Sequence, residues 1–559
     1  MTSDPATPAP FDPYRQEPAY WTRHWDKVIP WIVALATAVL AVCSFPPYQM
    51  SEFAYAMLVP GILWAYYRPR FRLYAATLLG AQMVAWTVIL GWLHHVSWLG
   101  LLLLGPFTGL WVGVWYLAVW WTIPRMYGRE TPVRLAAVVA LAGLWVVIEW
   151  TRTWFLSGFP WLPLAASQWQ RISILQIAAY TGAGGVSFVL VAMNLGFAAY
   201  AHRLFREERS GFAKRSQEFF LAMFLLLACL AVYVAETVNR TEFAVRFLRA
   251  GLVQPYIPQT LKWDPASESG TLDVLQRTTL LAASANPDLI LWPEAAATRA
   301  VHGDAAMQAW TEQLAVRAKA PLLVGTVAQD DLPGAEPVWS NGVVLVRPQG
   351  GLQPEFYRKR HLVPFGEYVP VRFLLGWLNK IVPVGDTDFL PGTEPGLLSV
   401  PVADGNTAWA APLLCFEDVF PSLARDSVQA GADLFVVMTN NGWFGEDGAA
   451  VQHAAHSALR AVETRRPVLR VGNGGWSGWI DEFGFVRYTM TNDEGSIYFR
   501  GARVINVTRD QRWIGRQSFY SEHGDWFVIV SAAAAVFGWM LLRVAAPRVA
   551  PAADGADLT

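Results

Sequence analysis

EFFLAMFLLLACLAVYVAETVNRTEFAVRFLRAGLVQ, residues Glu218 to Gln254, changes character near its middle. Residues 218–236 are almost continuously apolar, close to the roughly 20 residues a helix needs to cross a hydrocarbon core about 30 Å thick. From Thr241 onward charged and polar residues break the run, and Val245–Gln254 reads as a strand. Toward the N-terminus the first pattern repeats. Apolar runs fall at about 28–46, 53–67, 73–93, 98–123, 134–151 and 173–201, the one at 53–67 being short. Toward the C-terminus the second pattern holds as far as His523, and one further apolar run follows at about 525–543. The reading is seven membrane helices, a large soluble domain, and an eighth helix.

Composition agrees with that division. The chain has 559 residues, more than one hydrophobic core usually supports, so at least two folding units are expected. Hydrophobic residues make up 54% and charged residues 16%, against roughly 25% charged in soluble domains. An ordinary soluble enzyme and a disordered chain are both excluded. The formal charge of −1 removes any general electrostatic argument for nucleic-acid binding. Three cysteines cannot build a disulfide framework.

Loop charges set the orientation. Arg15, Arg23 and Lys27 precede the first run, and Arg68, Arg70 and Arg72 lie between the second and third. Arg125, Arg129 and Arg134 follow the fourth, and Arg203, Arg206, Arg209, Lys214 and Arg215 follow the sixth. The alternate loops at 47–52 and 94–97 carry no Lys or Arg, and the fifth–sixth loop only Arg152 and Arg171. Basic loops stay in the cytoplasm, so both termini are expected inside and the soluble domain outside. The expected segments are 1–27 cytoplasmic, 28–240 membrane helices one to seven, 241–523 the outer domain, 524–545 the eighth helix and 546–559 a cytoplasmic tail. The aromatic-rich lead and the lack of a small-residue cleavage pattern argue against a cleaved signal sequence, and Cys43 and Cys229 read as packing residues.

Two features near the outer face stand apart. Glu149 and Arg152 sit at i, i+3 near the end of the fifth helix, where an ionisable group is either functional or half of a local ion pair. Ser157-Gly158-Phe159-Pro160-Trp161-Leu162-Pro163-Leu164 is apolar and aromatic but cannot continue a helix. It reads as an interfacial loop or as a plain turn.

In the outer domain strand-like runs alternate with helical stretches, which argues for a layered α/β or α+β unit. Three strand ends carry unusual polar residues. Leu289-Ile290-Leu291-Trp292-Pro293-Glu294 is an apolar strand stopped by proline and followed by a carboxylate. The second is Tyr357-Arg358-Lys359-Arg360-His361-Leu362-Val363-Pro364-Phe365-Gly366-Glu367, and the third Ala411-Pro412-Leu413-Leu414-Cys415-Phe416-Glu417-Asp418. Cys415 is the only cysteine of this domain, and taken by position alone it is either an inert buried thiol or a reactive one. His453 and His456 share a helix face, but without a third ligand they make a poor zinc site and read as helix-surface packing.

Taken together, the three strand ends resemble the nitrilase superfamily, whose Glu-Lys-Cys triad lies in an α-β-β-α sandwich. The order Glu294, Lys359, Cys415 fits that pattern. Nearly the whole chain resembles the bacterial apolipoprotein N-acyltransferases, which join eight membrane helices to a nitrilase-like domain inserted before the last. Gln254–Trp263, Thr439–Gly445, Arg466–Arg470 and the Phe-Pro-Trp of the membrane loop carry the likeness further. One position departs from it: the residue after the cysteine is commonly Tyr in the family and is Phe416 here.

The resemblance implies a ping-pong enzyme that takes an acyl chain from a phospholipid onto Cys415 and passes it to the α-amino group of a lipoprotein's diacylglyceryl-cysteine. Glu294 is then the general base and Lys359 the oxyanion donor, whose charge also lowers the thiol pKa. Glu367 supports the lysine. Glu417 is either needed for activity or a structural hydrogen-bond acceptor. Trp263, Phe416, Asn440, Asn441, Trp443, Phe444 and Trp161 are the candidate substrate-binding residues. The bacterial inner membrane is the expected location, with the domain periplasmic, the protein a monomer, and no cofactor or metal. The rival expectation is a membrane-anchored amidase hydrolysing a C–N bond, which the same triad would serve.

Overall fold

A computed structural model describes residues 20–126, 129–206, 216–238, 240–262, 264–330, 337–370, 372 and 388–544. Trp263, the first 19 residues and the expected tail at 546–559 lie outside the described residues.

The N-terminal part is helical. Among the described residues, six stretches are long and apolar enough to cross a membrane: Lys27–Ser44, Trp98–Met126, Thr131–Thr151, Ala183–Phe205, Gln217–Thr237 and Trp526–Val544. The expected eight is not reached on that criterion. The short run at 53–67 becomes a 3₁₀ turn, Ser51–Tyr55, and an eight-residue helix, Val59–Tyr66. The run at 73–93 becomes the helix Phe71–Ile89, which has 19 residues but interrupts its apolar sequence with Arg72 and Gln82. The helix Trp526–Val544 packs along Thr131–Thr151, so the last span returns to the bundle formed by the first ones.

The C-terminal part contains twelve described strands: β1 Ala244–Gln254, β2 Leu289–Leu291, β3 Leu322–Asp330, β4 Val338–Arg347, β5 Gly351–Arg358, β6 Leu398–Pro401, β7 Thr407–Leu414, β8 Leu434–Thr439, β9 Val468–Gly472, β10 Gly478–Ile480, β11 Val486–Thr489 and β12 Gly501–Asp510. They form two six-stranded sheets, in the orders β12-β1-β2-β3-β4-β5 and β11-β10-β9-β8-β7-β6. In each sheet the central three, β1-β2-β3 and β7-β8-β9, run parallel, and their neighbours are antiparallel.

Side-chain alternation along the strands builds the layers. Leu434, Val436 and Met438 of β8 meet Leu289, Leu291 and Leu323 between the sheets. Phe435 and Val437 point the other way, into a core continuous with the membrane helices. On the far side of the first sheet, Ile290, Leu322 and Val324 pack under the helices Glu268–Ala283 and Ala305–Ala318. The second sheet is covered by Pro421–Gln429 and Ala449–Thr464. The result is the expected α-β-β-α sandwich, with one helix layer pressed against the membrane bundle.

Candidate active site

The first sheet contributes a carboxylate and an ammonium. β2 is buried throughout, and its ladder continues one residue further through the Trp292 N–H, which donates to the Leu323 carbonyl at 2.9 Å. Pro293 has no N–H to donate, so pairing stops and the chain turns at Glu294. The Trp292 indole donates to Thr279 Oγ1 at 3.0 Å and ties this strand end to the helix behind it. Gly325 on β3 makes room for the turn, since a Cβ there would lie 2.4 Å from the Pro293 oxygen. Glu294 is left 6% exposed.

Lys359 follows β5. Its backbone N–H donates to the Asn341 carbonyl at 2.8 Å, and its side chain is 1% exposed. Lys359 Nζ lies 3.1 Å from Glu294 Oε1 and 2.9 Å from Glu367 Oε1. Asn341 Nδ2 donates to the same two oxygens, at 2.8 and 2.9 Å. Glu367 Oε2 accepts from the Val363 N–H at 2.8 Å, and Glu294 Oε2 from the Asn440 N–H at 3.1 Å. Each carboxylate is therefore held through both oxygens.

The second sheet contributes the thiol. β7 ends at Leu414, and Cys415 adopts φ +50° before a 3₁₀ turn. A left-handed non-glycine residue costs on the order of 1–3 kcal/mol and persists only where its surroundings fix it. Glu417 supplies part of that fixing. It accepts from the Leu414, Arg360 and His361 N–H groups at 2.8, 2.6 and 3.1 Å, and from the Tyr357 hydroxyl at 2.6 Å. One carboxylate thus staples the cysteine turn to the segment carrying Lys359.

Beneath Cys415 lies a buried polar network. His453 Nε2 lies 2.8 Å from the Cys415 carbonyl and 2.7 Å from Asp418 Oδ1, so that nitrogen carries the proton. Asp418 Oδ2 accepts from Arg470 at 2.8 Å and from Ser457 at 2.6 Å. His453 and His456, expected at a helix surface, are 1% and 0% exposed. His456 accepts the Leu162 N–H at 3.1 Å, so the two imidazoles face different partners instead of a shared ion.

Electrostatics separate the groups. Burial alone would raise Glu294, but Lys359, Asn341 and Lys262 outweigh it and hold this carboxyl below its ordinary range. Burial would lower Lys359, yet Glu294 and Glu367 keep it well above the usual lysine value. Burial, then the Glu294 charge, push the Cys415 thiol up, and Lys359 only partly opposes them. Lys359 does act on the thiol in the expected downward direction, but desolvation and the Glu294 carboxylate outweigh it, so the net shift is upward. The resting site is carboxylate, ammonium and neutral thiol. Burial and the Lys359 charge together lower His361 to about 4, so it is neutral.

The membrane part reaches this site directly. Phe159 stacks on Phe416 at a centroid distance of 6.0 Å. Arg152 donates to the Phe159 and Trp161 carbonyls, and Glu149 Oε1 accepts from the Leu164 N–H at 2.6 Å. These two charged residues hold both ends of the aromatic loop. Gln452 accepts from the indoles of Trp92 and Trp161, each at 2.9 Å, and donates to the Pro46 and Ile89 carbonyls at 2.9 and 2.8 Å. Sequence spacing carried no sign of Asn341, Gln452 or the Asp418–Arg470 pair, because their partners come from distant segments.

The remaining candidates fall into two groups. Asn440 is buried, its amide donating to Gln259 at 2.8 Å, and Asn441 is buried with neither amide atom bonded to a described residue. Trp443 is exposed and Phe444 half-buried against Trp92, at 4.7 Å between rings. Trp161 is 2% exposed, lying against His453 and His456.

The pattern of the apolipoprotein N-acyltransferase N-terminal domain matches residues 37–196, and that of the carbon-nitrogen hydrolases matches residues 249–520. The apolipoprotein N-acyltransferase of Geobacter metallireducens is 32% identical over 524 residues, covering 90% of this chain and 94% of its own. That of Azotobacter vinelandii is 30% identical over 427 residues, covering 76% of each chain. Among solved structures, a nitrilase-superfamily amidase from Nesterenkonia aligns with 53% of this chain and 97% of its own, at 16% identity and a TM-score of 0.34.

Proposed function

We propose that this chain, which belongs to the apolipoprotein N-acyltransferase family, moves an acyl chain from a membrane phospholipid, through a thioester on Cys415, to the α-amino group of a lipoprotein's diacylglyceryl-cysteine. It is an N-acyltransferase by that membership; the donor, the covalent step and the residue roles are our reading. The observation that carries it is the buried contact of Glu294 with Lys359, 3.1 Å apart beside a thiol that both charges act upon.

Glu294 takes the Cys415 proton as sulfur attacks the ester carbonyl of the donor. Because the resting thiol is neutral and the carboxyl ionised, this transfer accompanies attack. Negative charge passes to the carbonyl oxygen, where Lys359 stabilises it. The ester C–O bond breaks, Glu294 returns the proton to the departing oxygen, and a lysophospholipid leaves. The acceptor amine then attacks the thioester, gives a proton to Glu294, and the C–S bond breaks to restore the thiol. Glu367 and Asn341 keep Lys359 and Glu294 aligned, and Asn441 has an amide free for a substrate carbonyl.

A soluble substrate would need no more than an anchor. A bundle that grips the site through Phe159, Gln452 and Arg152 suits substrates held in the bilayer by their own acyl chains, which raises their effective concentration. With the domain on the periplasmic side, as the basic loops indicate, both substrates reach the site from the outer leaflet. Purified protein incubated with isotopically labelled phospholipid and a diacylated lipopeptide tests this. Expected are an acyl adduct on Cys415, released lysophospholipid and a mass gain on the lipopeptide. Hydrolysis of a small amide without acyl transfer would overturn it in favour of an amidase.

A further inference from the structure

Outside the site, two loops remote in sequence bring three metal-ligating side chains together. His94 and His95 lie in the 3₁₀ turn Gly91–His95 that joins the helices Phe71–Ile89 and Trp98–Gly113. Asp447 lies in the loop between β8 and the helix Ala449–Thr464. His95 Nε2 is 2.9 Å from Asp447 Oδ2, and His94 Nδ1 is 3.9 Å from the same oxygen. One ligand atom from each of the three lies within 4.8 Å of the others.

From these contacts we infer that His94, His95 and Asp447 form a binding site for a single divalent transition cation, with Zn²⁺ as the best fit. Two imidazoles and a carboxylate are ligand types that Zn²⁺ takes at about 2.0–2.2 Å, which sets neighbouring donors of a tetrahedron roughly 3.3 Å apart. The 2.9 Å between His95 Nε2 and Asp447 Oδ2 is near that value. His94 Nδ1 also lies 2.8 Å from the Gly91 carbonyl. Ligating histidines usually donate their other ring N–H to such an acceptor, which here leaves Nε2 for a metal. The imidazole rings stand 3.9 Å apart, and Gly445, at φ +60°, has no Cβ, which would otherwise lie 2.3 Å from His95 Nε2. All three side chains are partly exposed, so entry is open and a fourth ligand position remains for water.

The place of the site gives it a consequence. Its loop begins at Asn440, whose N–H holds Glu294 Oε2, and carries the exposed Trp443. A cation shared by His94, His95 and Asp447 ties this loop to the bundle beside Trp92 and Phe444. The inference itself rests on the ligand geometry alone and stands apart from the acyl-transfer reading.

Zinc chloride titrated into the full chain in detergent, followed by calorimetry and by the thermal midpoint, tests it. Wild type is expected to bind one Zn²⁺ and to gain midpoint temperature by mass action. Asp447→Asn and His95→Ala should each weaken binding by more than the roughly 10–100-fold that loss of an outer-shell partner costs, and remove the midpoint shift. Cobalt chloride should give wild type a visible tetrahedral Co²⁺ spectrum that both variants lack. His523→Ala, at an exposed histidine elsewhere, should behave as wild type. No binding to wild type, binding unchanged in Asp447→Asn, or loss in His523→Ala overturns the assignment.

Discussion

The two sheets of the sandwich are alike in strand number and differ in what covers them. The first lies under Glu268–Ala283 and Ala305–Ala318, whose outer faces carry exposed ion pairs such as Arg277–Asp273. The second lies under Ala449–Thr464, where almost every residue is buried because the membrane helices close over it. Glu294 and Lys359 follow strand ends of the first sheet, Asn341 lies within its β4, and Cys415 follows a strand end of the second. The site therefore joins a half whose support faces water to a half whose support faces the helix bundle. The proposed nucleophile, Cys415, is on the membrane-coupled half, where its turn is fixed from below by His453 and from the side by Phe159 stacked on Phe416.

The sharpest way to break that comparison is to remove one reacting group from each half. Cys415→Ala should abolish the acyl adduct seen by mass spectrometry while leaving the thermal midpoint near wild type, because the side chain is small. Glu294→Gln should slow acyl transfer by roughly 10²–10⁴-fold, the usual contribution of a positioned base. Both losses together would show that chemistry needs both halves, whatever covers them. The pH profile carries the same signature. Glu294 is held below the ordinary glutamic value of about 4.3, so the base stays ionised and the rate falls only below that value. A depressed carboxyl adds stability above its unfolded pKa, and this is lost as pH drops through the folded one. Lys359 is raised, so its contribution is complete below the unfolded lysine value of about 10.4 and is lost only at higher pH. Rates of acyl-adduct formation on Cys415, the half-reaction without the acceptor amine, measured with midpoints from pH 3 to pH 11, should show one broad plateau; an acid limb near pH 6 in adduct formation would contradict the assignment.

Next in size is the network under the cysteine. Arg470→Met removes the cation from Asp418, whose carboxyl is held low against burial by His453 and Arg470. Breaking a buried pair by deleting one partner typically costs about 3–5 kcal/mol. The variant should unfold at a distinctly lower temperature, and should do so even when Glu294 and Lys359 are intact. A midpoint within a degree of wild type would show that the second half is not held by this pair.

These residues mark what could be read from the sequence and what could not. Trp-Pro-Glu, the lysine segment and the cysteine turn were legible because each is a local event: a strand end, a proline, a polar residue where an apolar run stops. The apolar spans were legible for the same reason, except where Val59–Tyr66 and Phe71–Ile89 proved too short or too polar to satisfy the criterion alone. The helix Ala449–Thr464 misled. His453 and His456 read as packing at a helix surface, yet the helix is buried, and Gln452, His456 and Glu463 meet Trp161, the Leu162 N–H and the Ala183 N–H across the seam. Polar residues on a helix report that polar partners exist, and nothing local says that those partners are another domain's backbone.

That seam supplies a middle-sized test. Gln452→Leu keeps bulk but leaves two indole N–H groups and two carbonyls without their partner. A buried group stripped of its hydrogen bond costs about 1–3 kcal/mol. The midpoint should drop less than in Arg470→Met. Acyl transfer should fall through a mispositioned aromatic loop, with the lipid substrate's KM rising more than kcat falls. An equal loss in kcat alone would mean that Gln452 acts on the cysteine turn instead of the loop.

The smallest effect belongs to the water-facing half and sharpens the contrast from the other side. Asp273→Ala removes the i, i+4 partner of Arg277 on Glu268–Ala283, a pair 2.7 Å apart with both side chains largely in solvent. Such pairs contribute about 0.3–0.5 kcal/mol, since water screens the charges and two long side chains lose freedom in holding them together. The thermal midpoint should move by a degree or less, shrinking further in high salt, and acyl transfer should be unchanged. The same helix holds β2 through Thr279 and Trp292, so it matters to Glu294 by its inner face alone. If removing an outer-face charge nonetheless lowered activity severalfold, the first sheet's cover would also be a docking surface, and the division between a water-supported half and a membrane-supported half would fail.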